Sequence, residues 1–136
     1  MTLIYLDASA PVKLVVDEPE SAALAEWLDD RPEQPLCMSV IGKAEVLRAA
    51  RRHSPHALAV ASSVLAELAL VPTDAAVLEL AALLEPAGLR TLDALHLASA
   101  AGLDGDLAHF VAYDARLTDA SRLLGLPVAQ PGSPRA

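Results

Sequence analysis

The chain alternates short apolar segments with longer helix-like segments, and this alternation limits its possible folds more than any other feature. "TLIYL" (2–6), "PLCMS" (35–39) and "HFVAY" (109–113) have the length and composition of buried strands, and "LALVP" (68–72) and "PVAQ" (127–130) are weaker candidates. Parallel strands need long crossover connections, which are usually helices. The pattern therefore predicts an α/β fold with a twisted parallel sheet of four to five strands and helices on both faces.

The length and composition indicate one domain. We expect residues 1–130 to form a single domain and the Pro/Gly/Ser-rich residues 131–136 to be a frayed tail. The apolar share is 54%, but it is broken into short runs, so no segment reaches the roughly 18 apolar residues of a membrane span. The N-terminal segment has no basic region typical of a secretory signal, and the single Cys37 cannot form an intramolecular disulfide. These features favour a cytoplasmic protein without membrane association.

The charges are unevenly distributed. The formal net charge of −8 argues against a protein that coats nucleic acid through its overall field. Residues 17–33 contain seven acidic side chains against one basic one, whereas residues 43–52 contain four basic side chains against one acidic one. One surface can therefore repel a polyanion while another attracts it.

Four carboxylates occupy positions that a parallel sheet could bring together. Asp7 and Asp114 each follow directly after a predicted strand, and Asp93 lies in the first turn of the predicted helix "TLDALHLASA" (91–100). Ligands of open α/β sheets bind beyond the carboxyl ends of the strands. If the two strands are neighbours, Asp7 and Asp114 share one edge, and Asp93 and Glu45 can reach it from adjacent helices.

Each of these acids also has a simpler explanation. Asp7 and Asp114 could only cap the helices that follow them, and Asp93 could only interact with a helix dipole. Glu45 could pair with Arg48 on the surface of their helix. Four such acids in one small α/β chain are nevertheless more than capping usually requires.

Convergence of the four acids would restrict the chemistry of the site. Two carboxylates about 4 Å apart repel each other by roughly 4 kcal/mol at an effective dielectric constant near 20. Such a cluster takes up protons or binds a cation. Ligation by oxygen alone suits a hard cation such as Mg²⁺ or Mn²⁺, which can activate water and neutralise phosphate oxygens.

Four motifs in this order resemble those of the PIN-domain ribonucleases, specifically the VapC-type toxins of toxin–antitoxin pairs. The motifs are "YLDASAPVKLVVDEPES", "SVIGKAEVLRAARR", "LRTLDALHLASA" and "FVAYDARL". The resemblance implies a PIN-like three-layer fold and Mg²⁺- or Mn²⁺-dependent hydrolysis of RNA. It also implies an acidic catalytic site at Asp7, Glu45, Asp93 and Asp114, with Asp7, Asp93 and Asp114 holding the metal. Ala112 departs from the family pattern, which often has a Thr two residues before the last aspartate.

The resemblance also implies partners. These are an RNA substrate, a cognate VapB-type antitoxin with a disordered C-terminal segment, and a second copy of the chain in a homodimer. Arg48, Arg51 and Arg52 are candidate contacts to substrate phosphates, although a solvated helix face explains them equally well. The Ala- and Leu-rich helices "SAALAEWL" (21–28) and "HALAVASSVLAELA" (56–69) could leave an apolar groove for an amphipathic helix of the antitoxin.

Two other functions remain open. A Mg²⁺-dependent phosphatase would also place an aspartate after the first strand, but Ser9 occupies the second acidic position of its usual Asp-x-Asp pattern. A non-catalytic PIN-like protein-binding module would keep the fold without needing all four acids. Ser9 and Ser39 are interpreted as helix caps.

Two further residues lie near these motifs. His96, three residues after Asp93, is interpreted as a packed or hydrogen-bonded structural histidine. The edge of the sheet that Asp7, Asp114, Asp93 and Glu45 could share is called the acidic edge. Asp119 is a weaker candidate for this edge than Asp114.

Overall fold

A computed structural model describes residues 2–134 and contains five strands and seven α-helices in that range. The strands are β1 (Leu3–Leu6), β2 (Leu36–Ser39), β3 (Ala69–Val71), β4 (Leu107–Val111) and β5 (Val128–Ala129). The helices are α1 (Ser9–Val15), α2 (Ser21–Asp29), α3 (Val40–His53), α4 (Pro55–Ala66), α5 (Ala75–Leu83), α6 (Thr91–Ala101) and α7 (Ala115–Leu123). A short 3₁₀ turn, Asp104–Asp106, precedes β4.

All strand pairs in the sheet are parallel, in the order β3-β2-β1-β4-β5. The first strand is therefore central, with β2 on one side and β4 on the other. Tyr5 pairs with Cys37 on β2 and with Phe110 on β4. The predicted α/β fold is confirmed, and both weaker strand candidates are short strands at the two edges of the sheet.

The side chains of β1 alternate between two core layers. Ile4 and Leu6 point into a layer with Met38 that is covered by α1 to α4. Tyr5 points into the opposite layer and stacks on Phe110, with ring centroids 5.5 Å apart, beneath α6 and α7. The side chains of Ile4, Tyr5 and Leu6 are fully buried because both faces of a parallel sheet are covered by helices.

The starts of two helices bear on the candidate site. Ser39 caps α3 as expected, because its hydroxyl accepts a hydrogen bond from the backbone N–H of Ile41 at 3.2 Å. The expectation that Ser9 caps α1 is wrong, since Ala8 occupies the capping position and Ser9 is the first helical residue. The Ser9 hydroxyl instead donates a hydrogen bond to Asp7 Oδ2 at 2.9 Å.

The end of the described chain packs against the domain. Residues 131–134 include a turn in which the Tyr113 hydroxyl donates to the carbonyl oxygen of Pro131 at 2.9 Å. A Cβ at Gly132 would lie 2.8 Å from that of Ala23 on α2. The rest of the predicted frayed tail, residues 135 and 136, lies outside the described residues. Among residues 2–134, every helix is too short or too polar to cross a bilayer.

Candidate active site

Asp7 and Asp114 lie at one edge of the sheet because their strands are neighbours. The chain continues the β1–β4 pairing beyond β1, with the Asp7 N–H donating to the carbonyl oxygen of Val111 at 2.9 Å. Asp7 is only 6% exposed, and its Oδ2 accepts from the hydroxyl and the backbone N–H of Ser9. The proposed convergence at the carboxyl ends of β1 and β4 is therefore present for these two acids.

Asp114 also caps a helix. Its Oδ1 accepts a hydrogen bond from the backbone N–H of Leu117 at 3.0 Å, at the start of α7. Asp114 is exposed, whereas Ala112, two residues earlier, is fully buried. Capping uses one carboxylate oxygen, so capping and a role at the acidic edge are compatible for this residue.

Asp93 is near both other aspartates. It is half-buried in the first turn of α6, and its pKa is raised above the ordinary value for an aspartate. Burial is the largest cause, followed by the negative charges of Asp7 and Asp114. The two charge effects show that Asp93 is within electrostatic range of both aspartates, although burial contributes more than either charge.

Glu45 is connected to Asp7 at this edge by His96, which lies close to both carboxylates. His96 on α6 places its Nε2 2.6 Å from Glu45 Oε1 and 3.5 Å from Asp7 Oδ1. Its other ring nitrogen, Nδ1, lies 2.7 Å from the hydroxyl of Tyr5. Three elements, namely β1, α3 and α6, together with Asp7 just after β1, thus meet around one buried imidazole.

The electrostatics of His96 reflect its neighbours. Its side chain is 1% exposed, and burial by itself lowers the pKa of an imidazole. The hydrogen bond to Glu45 and the charge of Asp7 outweigh burial, so the pKa of His96 is raised. His96 is packed and hydrogen-bonded, as predicted. The sequence did not show that its hydrogen-bond partner is Glu45.

A groove of about 630 Å³ borders Glu45 between α1 and α3. Its lining includes apolar side chains of both helices together with Arg48 and Arg52. All three arginines of the basic segment are exposed, but Arg51 is not among the described residues that line the groove. Two of the three candidate phosphate contacts therefore share a surface with the acidic edge.

The acids suit a hard cation by their chemistry but are not arranged around one. Within residues 2–134, no three His, Cys, Asp or Glu side chains are grouped so that they could hold a metal ion. Asp7 and Asp114 direct oxygens toward Ser9 and the start of α7 instead. The charges of Asp7 and Asp114 nevertheless contribute to raising the pKa of Asp93, so the three aspartates lie within electrostatic range of one another.

Comparison with known proteins agrees with the fold and identifies the family. Residues 4–123 match the family model described as the PIN domain. The chain is 45% identical to ribonuclease VapC35 of Mycobacterium tuberculosis over 98% of its own length and 100% of that protein. It is 46% identical to ribonuclease VapC46 of the same organism over 96% of its own length and 99% of that protein.

Solved structures of lower identity share the fold. VapC20 of Mycobacterium tuberculosis, described as a sarcin-ricin loop cleaving toxin, has a TM-score of 0.74 at 16% identity and covers 94% of this chain and 99% of its own. A chain of VapBC2 from Rickettsia felis, bound to a promoter DNA fragment, has a TM-score of 0.73 at 17% identity, covering 96% of this chain and 99% of its own. The chain belongs to the PIN-domain family, among its VapC members.

Proposed function

We propose that the protein is a Mg²⁺- or Mn²⁺-dependent endoribonuclease, the toxin of a toxin–antitoxin pair that a cognate VapB-type antitoxin neutralises. The observation that carries this proposal is that Glu45 and Asp7 lie 2.6 and 3.5 Å from the same nitrogen of His96, while the charges of Asp7 and Asp114 act on Asp93. The relatives at 45% and 46% identity are named as ribonucleases, which supports RNA as the substrate class. We also propose that the protein acts in the cytoplasm, where a toxin of this kind would meet cellular RNA.

Each acid has a distinct role in this proposal. Asp7, Asp93 and Asp114 would hold the cation, with Asp7 oriented by Ser9 and Asp114 by the start of α7. A bound Mg²⁺ or Mn²⁺ would supply positive charge for the phosphate oxygens and lower the pKa of a water molecule. Glu45 would orient the attacking water and accept its proton, with Oε1 already held by His96.

The substrate would approach along the groove between α1 and α3. Arg48, Arg51 and Arg52 are proposed to contact phosphates that flank the scissile bond, and the lining of the groove favours Arg48 and Arg52 for contacts next to Glu45. The groove also contains Val12, Ile41 and Leu92, which provide an apolar surface for an amphipathic helix. We therefore infer that the antitoxin occupies the same groove and brings a basic side chain to the acidic edge.

Cleavage assays over a panel of structured RNAs test the activity. We expect cleavage with Mn²⁺ or Mg²⁺, none with a chelator, and a loss of at least about 100-fold in Asp7→Asn and Asp93→Asn, since each removes a metal ligand. Asp104→Asn is the matched control, because Asp104 is an exposed acid in a turn with a positive φ of 47°, which Asn tolerates. Equal cleavage by the parent and both site variants would remove these aspartates from the mechanism.

Titration with the product of a neighbouring small open reading frame tests the toxin assignment. We expect that product to bind tightly and to abolish cleavage at saturation. Full cleavage at saturating partner would leave a stand-alone nuclease. Tight binding by a parent that cleaves no RNA under any metal condition would instead favour the non-catalytic module.

We propose that the homodimer forms through α5. Leu78 and Leu83 on this helix are 51% and 80% exposed and would be covered by a second copy of the chain. We expect light scattering to give twice the mass of the chain, and we expect Leu83→Glu to shift the protein toward the monomer.

A further inference from the structure

A continuous hydrogen-bonded chain runs through the core to Glu45. The backbone N–H of Ser39 donates to the Tyr5 hydroxyl at 3.0 Å, and this hydroxyl lies 2.7 Å from Nδ1 of His96. Nε2 of the same ring lies 2.6 Å from Glu45 Oε1. Tyr5 and Ser39 are fully buried, whereas the Glu45 side chain is 29% exposed, so the chain leads from the core to the edge of the groove.

The donors in this chain can be assigned. A carboxylate only accepts hydrogen bonds, so Nε2, 2.6 Å from Glu45 Oε1, carries a proton, and in a neutral imidazole Nδ1 then accepts from the Tyr5 hydroxyl. A neutral ring that accepts at Nδ1 carries its proton on Nε2, and a charged ring carries a proton there as well. Nε2–H therefore faces Glu45 in both charge states, and donation to Glu45 does not depend on titration of the ring.

The helix that carries Glu45 is shaped to meet this ring. Gly42 lies three residues before Glu45 on α3, and a Cβ at position 42 would stand 2.8 Å from Cε1 of His96. Only a residue without a side chain allows this approach. The contact between α3 and the imidazole is thus built by two residues of α3, one that makes room and one that accepts the hydrogen bond.

We propose that His96 is a positioning residue for Glu45: it fixes one carboxylate oxygen from within the core and thereby orients the other for the reaction at the acidic edge. This inference rests on the proposed ribonuclease function. His96 does not touch the substrate in this proposal. Its hydrogen bond to Tyr5 sets the ring orientation, in the way that outer hydrogen-bond partners orient the side chains of catalytic sites.

Nitrogen NMR of the imidazole in metal-free protein tests the geometry without any activity. We expect the Nε2 resonance of His96 to remain that of a protonated nitrogen at every pH at which the protein is folded. We also expect it to move in Glu45→Gln but to be nearly unchanged in Asp104→Asn. An unprotonated Nε2, or an Nε2 resonance that does not shift in Glu45→Gln, would overturn the proposal.

Measurements of kcat and KM distinguish a positioning role of His96 from a role in core packing alone. In His96→Leu we expect kcat for RNA cleavage to fall by about 10- to 100-fold while KM changes little, because the phosphate contacts lie elsewhere. His96→Gln should recover part of the loss, since its amide can accept from Tyr5 and donate to Glu45. Leu97→Ala is the matched control, because Leu97 is fully buried on the same helix but belongs to the packed core next to Tyr5 and Phe110.

The outcomes distinguish this inference from the proposed function. If Leu97→Ala loses as much kcat as His96→Leu at equal loss of melting temperature, His96 acts only through stability and the proposal is overturned. If His96→Gln recovers nothing although it folds, the hydrogen bond to Glu45 is not the cause, and the proposal is also overturned. If the parent cleaves no RNA, the proposed function fails, and the Nε2 resonance decides whether His96 holds Glu45.

Discussion

Gly42 lies directly against the ring of His96. A Cβ at position 42 would stand 2.8 Å from His96 Cε1 and 2.5 Å from the terminal methyl group of Met38. The Met38 side chain is flexible but fully buried, and the His96 ring is held by hydrogen bonds at both nitrogens. Neither neighbour can give way without disturbing the core or the site.

Gly42→Ala should therefore reduce both stability and activity. Overpacking of a core costs about 1–3 kcal/mol, and the better helix propensity of Ala offsets only about 0.5–1 kcal/mol of this. We expect a net loss of about 1 kcal/mol, the middle of these ranges, in urea denaturation and a fall in kcat. Gly105→Ala is the control, because a Cβ at position 105 has no neighbour within 4 Å among the described residues. Equal stability of the two variants would contradict the close approach.

Asp93→Asn should stabilise the metal-free protein. The folded-state pKa of Asp93 is raised, first by burial and then by Asp7 and Asp114, so ionisation of this carboxyl opposes folding. The unfavourable contribution is absent below the ordinary pKa of 3.8 and develops as the pH rises through the folded-state pKa. We expect the variant to melt at or above the parent at neutral pH with chelator present, and the difference to vanish in acid.

The same variant should lose most of its response to metal. Saturation of the parent with Mn²⁺ at about 100 times its dissociation constant should stabilise it by roughly 2.7 kcal/mol. Asp93→Asn removes a proposed ligand and should show little of this rise in thermal denaturation, whereas Asp104→Asn should respond like the parent. An unchanged Mn²⁺ response in Asp93→Asn would show that this residue does not hold the ion.

Arg48 and Arg52 should contribute more to RNA binding than Arg51. The first two line the groove next to Glu45, and the third lies on the same exposed helix outside that lining. Each lost phosphate contact reduces the slope of log affinity against log salt concentration by about 0.7 on single-stranded RNA. We expect the double variant Arg48→Gln/Arg52→Gln to lose about 1.4 from the slope.

Arg51→Gln provides the matched control for this measurement, because it changes the net charge without changing the groove. Its salt slope should stay close to that of the parent. If Arg51→Gln reduces the slope as much as either groove variant, the three arginines act as a diffuse positive surface, and the groove does not define the path of the RNA.

Cys37 should be unreactive in the folded protein. Its side chain is 1% exposed, and burial raises the pKa of the thiol from 9.0 to about 11. A rise of two pKa units lowers the thiolate fraction about 100-fold at a given pH, and exclusion of the reagent from the core lowers the rate further. We expect alkylation of the native protein to be at least about 100-fold slower than in urea. Rapid alkylation of native protein would contradict the buried position on β2.

Much of the fold was determined by local sequence. The strands around Tyr5, Cys37 and Phe110 were predicted because short buried segments between helices restrict a chain to a parallel sheet. The positions of Asp7 and Asp114 at one edge followed from the same rule, since the carboxyl ends of parallel strands coincide. The family, too, was predicted from the order and spacing of motifs, and the match over residues 4–123 confirms it.

The tertiary structure alone decided which side chains meet around Glu45. The bond between His96 and Glu45 joins residues 51 positions apart, and the bond between Tyr5 and His96 joins residues 91 positions apart. Helix periodicity shows which face a residue occupies but not the neighbour it contacts, because that depends on how two helices cross the sheet. The separation of Arg48 and Arg52 from Arg51, and the space that Gly42 leaves for an imidazole, arise from the same packing of α3 against α1 and α6.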